Sequence, residues 1–141
     1  MLILASDHAG FELKQFLNKF FILNGIDFID AGALEYDAED DYPDLANKAV
    51  HTVLEDENNF GVFICGSGIG MSMCANRHPG IRAVLAYDKK TAESARIHNN
   101  ANVLCLGQRR VSKNKALKII LKFISTKFAN EERHIRRLGK F

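Results

Sequence analysis

The six residues Cys65-Gly66-Ser67-Gly68-Ile69-Gly70 combine a thiol, a hydroxyl and three glycines. They follow the apolar run Phe60-Gly61-Val62-Phe63-Ile64, so the glycines let backbone N–H groups turn toward an anion where a helix begins. Such a nest holds a phosphate or an oxyanion. The same helix start favours thiolate over thiol, which makes Cys65 a candidate base or nucleophile. The plainer reading is a buried cysteine that closes a strand before a tight turn.

Three chemistries compete for this loop. A dinucleotide site wants Gly-x-Gly-x-x-Gly after the first strand and an acid roughly 20 residues later. Asp88 stands at about that distance, but the glycines follow the third strand and the first turn reads Asp7-His8-Ala9-Gly10. A cysteine phosphatase closes its phosphate loop with an arginine, and position 71 is Met71. Proton abstraction beside a carbonyl needs a base, donors for the developing enediolate oxygen and an acid that moves protons between oxygens. Cys65 supplies the base, the N–H groups of Gly66 to Gly70 with the Ser67 hydroxyl supply the donors, and Asp7 serves the oxygens.

The supporting residues each carry two readings. Asp7 and His8 either cap the first helix or face a ligand. His98 is a basic group at a helix end or a ring-opening acid/base. Arg133 and Arg137 share one helix face, where they clamp a phosphate or are simply solvated. His51 falls on a solvated helix face. The acidic run Glu35 to Asp44 lacks the glycine turn and terminal Glu of a calcium loop and reads as an exposed loop.

The elements that must position these groups alternate in type. Met1 to Ala5 reads as a buried strand, and Leu13, Phe16, Leu17, Phe20 and Phe21 recur at helical spacing until Asn24-Gly25. Phe28-Ile29 is a weak second strand, and Ala46, Ala49, Val50, Val53 and Leu54 stripe a second helix. Phe60 to Ile64 is the third strand, followed by the glycine loop and a short helix. Arg82 to Ala86 is the fourth, Asp88 caps a helix to about His98, and Asn102 to Leu106 is the fifth. Ser112 caps a helix carrying Leu117, Ile120, Leu121 and Ile124, and a basic helix follows Asn130. The alternation predicts an α/β, three-layer Rossmann-like fold with a five-stranded parallel sheet and helices on both faces. Ligands then bind at the carboxyl ends of the strands. The loops there hold Asp7, His8, residues 65–70, Tyr87, Asp88 and residues 107–110.

With 141 residues, 47% hydrophobic and 26% charged, and no linker or repeat, residues 1–141 are expected to form one domain. Residues 1–70 hold 3 Lys/Arg against 13 Asp/Glu, and residues 71–141 hold 16 against 4. The basic half lacks the interleaved aromatics and base-reading motifs of a nucleic-acid binder, whereas a phosphorylated small molecule needs only a few of its arginines. The first residues do not form a signal peptide, and nothing approaches a membrane span. Cys65, Cys74 and Cys105 are odd in number and lack metal-site spacing, which suits reduced thiols in a cytoplasm.

On these residues the chain closely resembles the type B ribose-5-phosphate isomerases, a family that also includes the subunits of galactose-6-phosphate isomerase. The match spans nearly the whole chain. It rests on Ser6-Asp7-His8-Ala9-Gly10, Asp41-Tyr42-Pro43-Asp44, Cys65 to Ser72, Ala75-Asn76-Arg77, Ala95 to Asn102, Gly107-Gln108-Arg109 and Glu132-Arg133-His134. The resemblance implies interconversion of ribose 5-phosphate and ribulose 5-phosphate through an enediolate in the pentose phosphate pathway, with no metal and no organic cofactor.

It also implies roles. Cys65 removes the C2 proton, and Gly66, Ser67, Gly68, Ile69 and Gly70 stabilise the enediolate. Asp7 handles the substrate oxygens, and His98 helps open the furanose ring. His8, Arg109, Arg133 and Arg137 are assigned to the phosphate, with Arg136 adjacent to Arg137, and Tyr42 and Asn99 to the sugar pocket. Some members carry serine at the cysteine position and a glutamate base at the position of Ile69; here only Cys65 can serve. Ser67 replaces a threonine common among relatives and keeps the hydroxyl. A homodimer or pair of dimers with shared sites is implied as well. The rivals are an isomerase of a six-carbon sugar phosphate, such as allose or galactose 6-phosphate, and a non-catalytic phosphate-ligand binding module.

Overall fold

The computed structural model describes residues 1–141. In chain order the elements are β1 (Leu2–Ser6), a 3₁₀ turn (His8–Gly10), α1 (Phe11–Leu23), β2 (Phe28–Gly32), α2 (Tyr42–Leu54) and β3 (Phe60–Cys65). Then come α3 (Ile69–Ala75), β4 (Ala83–Leu85), α4 (Lys89–Asn99), β5 (Val103–Gly107), α5 (Lys113–Ser125) and α6 (Glu132–Leu138). The five strands form one parallel sheet in the order β2-β1-β3-β5-β4.

Alternation along the strands sorts the core into two layers. Leu2, Leu4, Val62, Ile64, Leu104 and Leu106 pack toward α1, α4 and α5. Ile3, Ala5, Phe63, Cys65, Val103 and Cys105 pack with residues of α2 and α3. Burial on both faces is why these strands read as unbroken apolar runs. Each fully buried large side chain contributes about 1.5–3 kcal/mol. No helix is long and apolar enough to cross a membrane.

Local signals start the helices where expected. Asp88 accepts the Thr91 N–H and Ser112 accepts the Lys115 N–H, each as an N-cap. Pro43 occupies the first turn of α2, where a missing N–H costs nothing.

Several boundaries differ from the expectation; α2, for one, begins at Tyr42, inside the run Glu35 to Asp44 read as an exposed loop. β2 continues past Ile29 to Gly32, because the buried Lys14 ammonium sits 2.5 and 2.6 Å from the two Asp30 oxygens and also donates to the Ala33 carbonyl. β4 is shorter than Arg82–Ala86: the Arg82 N–H goes to Asn102 Oδ1, and the Asn76 amide takes both the N–H and the C=O of Ala83. Helix α3 begins at Ile69, inside the expected loop, so the last turn of the glycine run is helical.

In a parallel sheet the strand ends Ser6, Gly32, Cys65, Leu85 and Gly107 share one edge. Helix α4 leaves β4 at that edge and returns to the start of β5. Its last residues, His98 and Asn99, therefore lie at the opposite edge.

Candidate active site

The glycine loop grows out of the carboxyl end of β3, and its neighbours fix it on several sides. Continuing the β3–β5 register, the N–H of Gln108 donates to the Cys65 carbonyl at 2.9 Å and that of Arg109 to the Gly66 carbonyl at 3.1 Å. A Cβ at Gly66 would touch the Arg109 guanidinium at 3.3 Å, so this exposed arginine lies directly over the loop. A Cβ at Gly70 would strike the Tyr42 ring at 2.6 Å, which places the Tyr42 phenol against the start of α3. Gly68, at φ +82°, adopts the left-handed conformation that favours glycine.

Two of the loop's N–H groups are already engaged. Gly68 donates to Cys65 Sγ at 3.0 Å, and Ile69 donates to the Ser67 hydroxyl oxygen at 3.3 Å. The expectation that all of residues 66–70 turn their N–H groups to one anion is corrected to that extent. Cys65 itself is only 5% exposed.

The turn after β1 closes the other wall. Asp7 caps it by accepting the Gly10 N–H at 3.0 Å, and its own N–H donates to the Ile64 carbonyl. Gly10 packs so tightly that a Cβ there would stand 2.5 Å from the Ile64 carbonyl oxygen. Asp7 thus both caps the turn and sits beside the end of β3. Burial pushes its carboxyl above the usual value of 3.8, partly offset by the Gly10 N–H and by His8.

His8 has a partner that sequence reasoning missed. Asp40 Oδ1 lies 2.7 Å from His8 Nδ1 and accepts the His8 N–H at 2.9 Å. That hydrogen bond raises the imidazole above its ordinary 6.5. Asp40 lies in the acidic run read as an exposed loop; its side chain is only 10% exposed, and its Oδ2 is buried without a partner. Two further residues were placed in the site loops by the sequence but given no role there: Tyr87, whose hydroxyl donates to the Ser67 carbonyl, and Gln108, whose Oε1 accepts the Leu13 N–H. The loop placement of Tyr87 was legible, but no spacing signals a bond to position 67.

Within one chain the structure brings together Cys65, Gly66, Ser67, Gly68, Ile69, Gly70, Asp7, His8, Tyr42 and Arg109. It does not bring His98, Asn99, Arg133 or Arg137 to them. His98 stacks on His134 of α6, ring centroids 5.0 Å apart, and the Ala129 N–H donates to the Ile97 carbonyl, so α6 joins α4 at the far edge. His98, Asn99, Arg133, Arg136 and Arg137 are all exposed there, and Arg133 Nε donates to Glu131 at 2.7 Å. His51 is exposed on α2, its ring T-shaped against that of His78. No group of three His, Cys, Asp or Glu side chains is arranged to hold a metal ion.

Residues 2–141 match the family model described as Ribose/Galactose Isomerase. The ribose-5-phosphate isomerase B of Mycolicibacterium paratuberculosis is 42% identical over 135 residues, covering 96% of this chain and 85% of the relative. The crystal structure of a ribose 5-phosphate isomerase from Thermotoga maritima superposes with a TM-score of 0.93 at 43% identity, covering 99% of this chain and 94% of that one. The ribose-5-phosphate isomerase B of Mycoplasma genitalium, solved with bound ribulose-5-phosphate, gives 0.92 at 38% identity, covering 99% and 91%. The sheet with its flanking helices is thus shared over nearly the full chain, and the chain belongs to the ribose/galactose isomerase family.

Proposed function

We propose that this chain is an aldose–ketose isomerase that interconverts ribose 5-phosphate and ribulose 5-phosphate. The observation that carries the reading is the Cys65 thiol at the carboxyl end of β3, hydrogen-bonded by its own glycine loop and walled by the Asp7 turn. The named activity of the relatives and the ribulose-5-phosphate held by the Mycoplasma genitalium enzyme support the substrate.

Proton transfer then runs as follows. The Cys65 thiolate takes the C2 proton of the open-chain aldose; the electron pair forms the C1–C2 double bond, and charge moves onto O1, where loop donors stabilise it. Protonated Asp7 gives its proton to O1 and recovers one from the O2 hydroxyl. The Cys65 thiol returns its proton to C1, so the ketose forms with every atom accounted for. A carboxyl raised by burial suits this shuttle. Ser67 and the N–H groups of Gly66, Ser67 and Gly70, which the loop itself does not engage, serve the oxyanion, and Tyr42 and Asn99 the sugar. His98 assists ring opening, and His8, Arg109, Arg133 and Arg137 bind the phosphate.

Because His98, Asn99, Arg133 and Arg137 stand at the far edge, a second copy of the chain supplies them, in a homodimer or dimer of dimers. Residues 1–141 act as a single isomerase domain without metal or cofactor. The unpaired Cys65, Cys74 and Cys105 suit a reducing cytoplasm, and the reaction belongs to the pentose phosphate pathway.

A turnover assay comparing ribose 5-phosphate with allose 6-phosphate and galactose 6-phosphate tests the reading. The highest kcat/KM is expected on ribose 5-phosphate. A preference for a six-carbon substrate would move the chain to another branch of the family, and no turnover on any of them would favour a binding module.

A further inference from the structure

We propose that Tyr87 is a positioning residue for Cys65, acting through the single peptide unit that joins Ser67 to Gly68. The inference deepens the isomerase reading and rests on it. The Tyr87 hydroxyl donates to the Ser67 carbonyl oxygen at 2.9 Å, and the N–H on the other side of that peptide, on Gly68, donates to Cys65 Sγ at 3.0 Å. A peptide unit is planar, so holding its carbonyl fixes where its N–H points. Tyr87 therefore aims a donor at the sulfur without touching it.

The surroundings leave this peptide little room. A Cβ at Gly107 would stand 2.5 Å from the Ser67 carbonyl oxygen, so β5 abuts that oxygen directly. A Cβ at Gly68 would meet the Leu85 side chain at 2.6 Å, so the end of β4 closes the other side. Tyr87 follows β4 by two residues and ties the β4–α4 loop to the β3–α3 loop. A carbonyl that accepts a hydrogen bond also polarises its peptide and strengthens the N–H as a donor. Donation to sulfur fixes the direction in which the Cys65 side chain is held. Tyr87 thus governs both the direction and the strength of the hydrogen bond that prepares Cys65.

The test is Tyr87→Phe in the full chain, read by peptide-resolved alkylation with iodoacetamide at neutral pH, by kinetics on ribose 5-phosphate and by thermal melting. Loss of one hydrogen bond is expected to slow Cys65 alkylation and lower kcat together by about three- to tenfold. KM and Cys74 alkylation should stay as in the wild type, and the melting midpoint should fall by no more than about 2–4 °C. Gly107→Ala, which presses on the same carbonyl from the other side, should produce the same paired loss with Tyr87 intact. Wild-type alkylation of Cys65 in Tyr87→Phe overturns the proposal whatever happens to kcat. If alkylation slows as expected but Cys65→Ala still turns over, the positioning stands and the assignment of Cys65 as base is what fails.

Discussion

Asp40 Oδ1 accepts two hydrogen bonds from one residue: His8 Nδ1 lies 2.7 Å away and the His8 backbone N–H 2.9 Å away. The carboxylate thereby orients the ring and leaves Nε2 as the nitrogen free to meet a substrate oxygen. It also raises the imidazole above its ordinary 6.5, first through the side-chain hydrogen bond.

Asp40→Asn should return His8 toward that ordinary value. Below pH 6.5 both proteins keep His8 protonated, so their KM values for ribose 5-phosphate should differ little. Between 6.5 and the raised value the wild type retains a charge that the variant has lost, and the variant's KM should be several-fold higher. The same sign governs stability: the raised imidazole favours the fold fully below 6.5, and the contribution fades as pH rises through the raised value. A KM ratio that is constant from pH 6 to pH 8 would show that Asp40 does not tune His8.

Asp7→Asn should separate function from stability. Asn keeps an Oδ1 that can accept the Gly10 N–H, so the turn is retained. Burial raises the Asp7 carboxyl above 3.8, so folding disfavours its ionised form. Wild type and variant should melt alike below pH 3.8, and the variant should become the more stable one as pH rises through the raised value. Turnover should nevertheless drop by about 10²-fold or more. Urea melts across that range combined with steady-state kinetics decide it; an Asn variant with near-native turnover would remove Asp7 from the mechanism.

Much of this arrangement was legible in the residue order. Asp88 and Ser112 announced their helices because a cap needs only a local side chain and an N–H three residues on. Cys65 to Gly70 announced a tight loop because glycines between a buried strand and a helix have few other uses. What stayed hidden was long-range. Asp40 looked like any other acid in an exposed run, since its value comes from His8, 32 positions away. The end of β2 depended on the buried Lys14–Asp30 pair, which joins residues 16 positions apart on a helix and a strand and has no local signal. The far placement of His98, Arg133 and Arg137 follows from α4 running against the strands, which spacing alone did not express.

That placement carries its own prediction. If sites are shared between copies, a Cys65→Ala subunit and an Arg133→Ala/Arg137→Ala subunit, each impaired alone, should complement when unfolded together and reassembled. Random pairing makes half the dimers mixed, each with one complete site, so about a quarter of wild-type activity should return. Mixtures no more active than the mean of the separate variants would place every site within one chain.

The most direct test of the central claim is kcat of Cys65→Ala on ribose 5-phosphate, with the fold checked by circular dichroism. Removing the base that takes the C2 proton should cost at least about 10²–10⁴-fold in kcat while substrate binding and the melting curve are largely kept. An alanine variant that is folded and retains a tenth of wild-type turnover would contradict the account.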